Sequence, residues 1–273
     1  MSFLSVDQKK CAGDGMCAKV CPLGLIYLDG QKTPQAVEGA KDACLNCGHC
    51  VSVCPHGALS TEKMAADQCP PLPEGWDLPL DRVEPLLKGR RSIRQFKADA
   101  VPRQDLEKAI DVARYAPSGV NRQPLRWTVI YDREKVKQIS AATIEWMDGL
   151  VKQQTPLAVS LRWPNLIERY AKGRDLICWS APHIIYAYAL KEEMMAPVAA
   201  SIACTFLDLA CVSMGMGACW GGYVQMALNS SDACRKIAGL NARCACFGAM
   251  MVGYPAVKYS RIPARDRAPI SFK

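Results

Sequence analysis

Residues 44 to 55 read CLNCGHCVSVCP, which sets Cys44, Cys47, Cys50 and Cys54 in the spacing CxxCxxCxxxCP. That spacing wraps three thiolates around one iron–sulfur cube and sends the fourth to another. A zinc site would pair two CxxC knuckles across a longer loop, whereas here three ligands crowd into seven residues and Pro55 turns the chain directly after the fourth. A segment built this way folds around iron and sulfide before it folds around apolar side chains.

Upstream, CAGDGMCAKVCP places Cys11, Cys17, Cys21 and Pro22 on the same template, with Asp14 in the second ligand position. The pair of motifs resembles the bacterial two-cluster ferredoxins, in which the fourth Cys of each motif ligates the cluster of the other. The resemblance implies one 4Fe-4S cluster on Cys44, Cys47, Cys50 and Cys21, and a second on Cys11, Cys17 and Cys54 with Asp14 as candidate fourth ligand. A carboxylate holds iron more weakly than a thiolate, so an Asp14 corner would lose its iron readily and leave a 3Fe-4S cluster. Gly13, Asp14 and Gly15 equally suit a tight turn, and both readings of Asp14 stay open.

The cluster motifs occupy residues 1–64, whose halves form an internal repeat of about thirty residues: a Cys run, then a short apolar extended piece, Leu25 to Leu28 and Ala58 to Ser60. So few apolar residues leave this module to be held by metal–sulfur bonds. Residues 65–80 carry Pro70, Pro71, Pro73, Gly75 and Pro79 and read as a linker. Residues 81–273 then alternate helix and strand signals: Asp81 to Lys88, Arg103 to Tyr115, Arg126 to Tyr131, Arg133 to Lys152, His183 to Ala189, Pro197 to Met214, Ser231 to Ala238 and Arg243 to Val252. That pattern predicts a mixed α+β domain.

The apolar stretch Met194 to Ala218 is tested as a membrane span and reads as a buried helix instead. Pro197 starts it, Asp208 sits inside it, and Ala, Ser and Cys stand where lipid-facing helices use Leu and Ile. The opening MSFLSVDQKKC is too short and polar for a secretory signal, and eight further Cys lie outside the cluster motifs, so a cytoplasmic protein with buried thiols is expected. The net charge of +8 comes with no basic run long enough for nucleic acid; its arginines gather at 90 to 94 and 261 to 267.

Arg90, Arg91, Ser92, Ile93 and Arg94 precede Phe96; then come YAPSGVNRQP from Tyr115, SMGMGACWGG from Ser213 and GYPAVKYSRIPARDRAP from Gly253. These four blocks, in this order over about 190 residues, resemble the nitroreductase family of FMN enzymes. The resemblance implies a nitroreductase-like FMN-binding fold, of α+β class, preceded by a small ferredoxin-like two-cluster domain. It implies that Arg90, Arg91, Ser92 and Arg94 form the first cofactor block and that Arg265 and Arg267 clamp the phosphate. Pro117, Ser118, Asn121 and Gln123 would orient the ring edge, and Gly221 and Gly222 would let backbone amides approach it. Chemistry asks for the same types: a phosphate wants guanidinium and hydroxyl donors, and amides bond a flavin edge without shifting its charge state. The resemblance further implies a homodimer with FMN at the subunit interface.

No GxGxxG opens a helix, since Gly215 and Gly217 read as a helix end, although the family takes nicotinamide without that motif. Two clusters beside FMN suggest single electrons from a low-potential donor, a ferredoxin or similar, passing to FMN and on to a small planar acceptor such as a nitroaromatic or quinone. Two alternatives stay open: an electron-transfer module between protein partners, and an NAD(P)H-dependent nitro, flavin or ene reductase with auxiliary clusters. No general acid emerges, because His49 and His56 belong to the cluster module and His183 opens an apolar strand as a structural histidine. Trp163, Tyr170 and Trp179 lie in a segment, 154–179, that reads equally as pocket wall or as core.

Overall fold

A computed structural model describes residues 3–273 and divides into two compact units. The first runs to Leu78 and takes in Val120–Arg122; the second comprises Pro79–Gly119 and Gln123–Lys273.

The first unit is built from β1 (Leu4–Val6), α1 (Met16–Lys19), β2 (Ile26–Leu28), β3 (Pro34–Ala36), α2 (Ala40–Ala43), α3 (His49–Ser52) and β4 (Leu59–Thr61). β1 pairs antiparallel with β4, Ser5 opposite Ser60, and β2 with β3, Tyr27 opposite Gln35. Three-residue strands and one-turn helices have no stability of their own. What shapes them is local: Gly15 (φ 73) and Gly48 (φ 75) open α1 and α3 in the left-handed region that suits glycine. The β2–β3 turn is organised by Asp29, which accepts from Thr33 N and Gln31 N through Oδ1 and from Gln35 Nε2 through Oδ2, each at 2.9 Å. Those donors, the Thr33 amide foremost, lower its pKa. The core is small: Leu4, Cys17, Ile26, Val51 and Leu59. Part of the proline-rich stretch joins it, since Ala66 and Cys69 pack against that core and Ala66 N donates to Ser60 Oγ at 2.9 Å.

The second unit holds α4 (Leu80–Gly89), α5 (Arg103–Ala113), β5 (Arg126–Ile130), α6 (Arg133–Lys152), α7 (Pro156–Ser160), α8 (Trp163–Ala171), β6 (His183–Leu190), α9 (Ala196–Ser213), β7 (Gly217–Trp220), α10 (Gly222–Ser230), α11 (Asp232–Ala238) and β8 (Cys244–Gly253). Four strands form one sheet in the order β5-β6-β8-β7, every pair antiparallel. Its two faces are both covered, which explains why β6 reads HIIYAYAL without polar alternation. Ile184 and Tyr186 point into the core shared with Val136, Met147, Trp163 and Leu228. Ile185 and Ala187 point into the other, with Leu106, Ala109, Cys204 and Leu207. β8 divides likewise, Met251 to one side and Met250 and Val252 to the other.

Helix α9 is, among the described residues, the one helix long and apolar enough to cross a membrane by length and composition, with a mean hydropathy of 1.7. Here it packs on the sheet. Ala200, Cys204, Leu207 and Cys211 face the core, and its small residues let the backbone of β8 come close: a Cβ on Gly248 would lie 2.6 Å from Cys204 Sγ. After Gly215 (φ 74) ends the helix, Gly217 opens β7 where the sequence reads as a helix end alone; a side chain there would collide with Ile93.

Candidate functional site

The first unit contains two cavities, and the ligand motifs sort between them crosswise. One, with about 360 Å³ of empty space including open solvent, is lined by Cys11, Asp14, Cys17 and Cys54. The other, with about 460 Å³, is lined by Cys21, Cys44, Cys47 and Cys50. Among the described residues no three His, Cys, Asp or Glu donors form a group able to hold a single ion. Thiols spread around a cavity suit a polynuclear cluster, which touches each ligand at a different corner.

All fifteen cysteines are free. Three cavity sulfurs already accept backbone amides at 3.3 Å: Leu25 N to Cys21, Asn46 N to Cys44 and Ala58 N to Cys54. Such donors stabilise thiolate charge. Burial opposes it, raising the Cys17 thiol and pushing Cys50 up to about 11, and a cation bound beside them would favour the ionised form. Donor set and space therefore fit iron–sulfur clusters. Asp14 serves as turn residue, its Oδ1 accepting from Met16 N at 3.0 Å ahead of α1, and it also lines the first cavity.

In the second unit, residues 90–94 lie along β7, with Ile93 N donating to Ala218 O at 2.9 Å. Arg90 Nη1 donates to Asp208 Oδ2 of α9 at 2.9 Å, anchoring the block to the core. Burial raises the Asp208 pKa against the pull of Arg90, and Asp208 Oδ1 is buried without a partner. Arg91 lies over the Tyr259 ring at 5.9 Å and Arg94 over Trp179 at 5.8 Å; neither meets a carboxylate among the described residues. Burial raises the Cys219 thiol pKa, against the nearby Arg94 charge and the Ser92 side chain, which lower it. Guanidinium charge with no carboxylate to meet it fits an anionic ligand such as a phosphate.

The remaining expected residues fall in three places. Ser118 Oγ, just after Pro117, accepts from Gln123 N at 3.0 Å, closing their loop. Asn121 belongs to the first unit, where its amide donates to the Leu45 and Asn46 carbonyls. Gly221, between β7 and α10, places its N–H on Ala249 O at 2.7 Å, so it is the amide of Gly222, first residue of α10, that has no partner within the helix. Arg265 and Arg267 are exposed in a C-terminal stretch without helix or strand, whose start is tied to residues 95–97 by Lys97 N to Tyr254 O and Ala256 N to Gln95 O.

The segment 154–179 splits between its two readings. Trp163 is fully buried against Trp146 and Tyr223, a core residue. Trp179 (φ 55) reaches Arg94 from a turn held by Asp175, which accepts from Ile177 N, Cys178 N, Ser180 N and Ser140 Oγ. No spacing in the sequence announces Asp175. His183 is buried with both ring nitrogens bonded, to Val101 N and Tyr131 O, which is a structural arrangement.

Residues 87–254 match the family model described as Nitroreductase family, and residues 6–58 match the 4Fe-4S dicluster domain. A provisionally named NADH dehydrogenase/NAD(P)H nitroreductase of Archaeoglobus fulgidus is 26% identical over 178 residues, covering 65% of this chain and 88% of that protein. An iodotyrosine deiodinase of Thermotoga neapolitana is 28% identical over 132 residues, 48% of this chain and 69% of that one. Among solved structures, a nitroreductase with bound FMN from Desulfitobacterium hafniense shares the fold at TM-score 0.55 and 21% identity, covering 68% of this chain and 96% of its own.

Proposed function

The chain belongs to the nitroreductase family and carries a 4Fe-4S dicluster domain ahead of its family domain, and from that premise we propose an iron–sulfur flavoprotein oxidoreductase fed by a low-potential donor such as a ferredoxin. When bound, the clusters supply single electrons and FMN exchanges them for the electron pair that reduces a small planar acceptor, such as a nitroaromatic or quinone. Cys21, Cys44, Cys47 and Cys50 would hold one 4Fe-4S cluster, and Cys11, Cys17 and Cys54 with Asp14 the other. Arg91, Ser92 and Arg94, joined by Arg265 and Arg267, would take the FMN phosphate, with Arg90 fixed on Asp208 as the anchor of the block. Pro117, Ser118 and Gln123 would flank the ring, and Gly222 would offer the amide that Gly221 has already spent. With no acid among the side chains that would flank the ring, Pro117, Ser118 and Gln123, the proton comes from solvent.

The observation carrying this reading is the crosswise sorting of the cysteines into two cavities on a chain whose Arg91 and Arg94 meet no carboxylate among the described residues. A second copy of the chain is supported by the exposed apolar side chains Val257, Tyr259, Ile262, Ile270 and Phe272 along the C-terminal stretch. Anaerobic protein reduced stepwise with reduced ferredoxin, NADH and NADPH tests the scheme. The ferredoxin should bleach cluster and flavin absorbance together, and Cys47→Ala should abolish acceptor turnover from it. Direct reduction by NAD(P)H, with full turnover in Cys47→Ala, would favour the reading supported by the Archaeoglobus relative's name, in which the clusters are auxiliary.

A further inference from the structure

Between Cys44 and Cys47, Asn46 sits in the left-handed region at φ 50 and its N–H donates to the Cys44 sulfur at 3.3 Å. A trans peptide points its N–H and C=O in opposite directions, so an amide turned toward sulfur turns the Leu45 carbonyl away from it. The next peptide, Asn46 to Cys47, presents a second outward carbonyl. Both are taken by one side chain: Asn121 Nδ2 donates to Asn46 O at 2.8 Å and to Leu45 O at 3.1 Å. Val120–Arg122, although distant in sequence, is part of the first unit. Val120 (φ 45) and Asn121 (φ 54) are both left-handed, a costly conformation for a β-branched residue, so the turn presenting this amide is held by its surroundings.

We propose that Asn121 is a positioning residue for the cluster held by Cys21, Cys44, Cys47 and Cys50, clamping the two peptide planes of the Cys44–Cys47 loop so that the Asn46 amide faces the Cys44 sulfur. The inference rests on the reading of those four cysteines as cluster ligands and goes beyond it, by assigning to the cluster a side chain that the family resemblance assigns to the flavin ring. Hydrogen bonds to sulfur raise a cluster's potential and shield it. Freeing the two carbonyls lets the planes rotate and weakens those bonds. The Cys11, Cys17 and Cys54 site has no part in this clamp and serves as the internal control.

Asn121→Asp keeps the size and removes the donor. In an anaerobic redox titration of the full chain followed by EPR, one cluster potential should shift negative while the other stays at its wild-type value. Iron release to a chelator should quicken for that cluster alone, and FMN content should stay unchanged. Wild-type potentials for both clusters, or a fall in FMN affinity with both clusters unmoved, would overturn the assignment. Where Asn121→Asp emerges without that cluster, Asn121→Ala decides: iron loss confined to one cluster, with flavin retained, supports the clamp, and joint loss of both clusters and flavin overturns it. Wild-type protein lacking iron and sulfide would fail at an earlier point, the cluster reading itself.

Discussion

The two units are stabilised by different physics. The second has a sheet covered on both faces by separate apolar cores, whereas the first has one small cluster of buried side chains around strands of three residues and helices of four. Apolar burial contributes roughly 25 cal/mol per Å², and the first unit has little area to bury. On the proposed ligand sets, its order would come from ligand bonds drawing Cys11 to Cys54 and Cys21 to Cys50 across the sequence. On that reading, one chain would combine a fold held by its own apolar cores with a fold held by its cofactor.

Removing the metal should break this contrast open most forcefully. Anaerobic treatment with an iron chelator and reductant is expected to make residues 9–64 protease-sensitive while the second unit keeps its thermal transition. Survival of both units, or collapse of both together, would remove the distinction; limited proteolysis read by mass spectrometry, beside a thermal melt, tells these apart.

A paired core truncation sharpens the same comparison at smaller amplitude. Leu207, fully buried on the sheet, should cost its unit about 2–5 kcal/mol on truncation to Ala, read from denaturant unfolding. Leu59 is as well buried, at 2% exposure, yet Leu59→Ala in cluster-loaded protein should move the midpoint of cluster bleaching much less, because iron–sulfur bonds set that transition. Equal shifts in the two units would mean that the first carries more apolar stabilisation than its core suggests.

What could be read from the sequence divides along the same line. Ligand spacing is a local property, so the cysteines that line the two cavities stand out in the sequence, and long elements with strong patterns, α6 at Arg133–Lys152 and β6 from His183, were legible too. β1 and β3 were not, since each exists only through its partner strand. β7 and α10 hid behind SMGMGACWGG, whose glycines read as turn signals although Gly217 and Gly221 are there for close packing against Ile93 and Met251. Long-range polar pairings were invisible altogether: nothing near Arg90 announces Asp208, and nothing in PSGVNRQP announces the Leu45 and Asn46 carbonyls.

The smallest expected effect concerns pH and belongs to the second unit alone. His183 is held neutral: Nδ1 bonds the Tyr131 carbonyl, and so carries the proton, while Nε2 accepts from Val101 N at 2.9 Å. The Tyr131 ring stacks on the imidazole at 4.6 Å, with Arg103 lying over that same ring. Burial lowers the His183 pKa, outweighing the Tyr131 carbonyl that raises it. Protonation would strip Nε2 of its lone pair and orphan the N–H of Val101, a residue with no exposed surface. Because the folded value lies below the unfolded value of about 6.5, the unfolded chain binds the extra proton first as pH falls. The stabilisation is therefore complete above that range and declines as pH drops through it toward the folded value. His183→Gln cannot titrate, so the difference in denaturant midpoint between wild type and variant should narrow from pH 7.5 to 5.5, cancelling every other titrating group. A difference independent of pH would show that the imidazole is not held neutral in the fold.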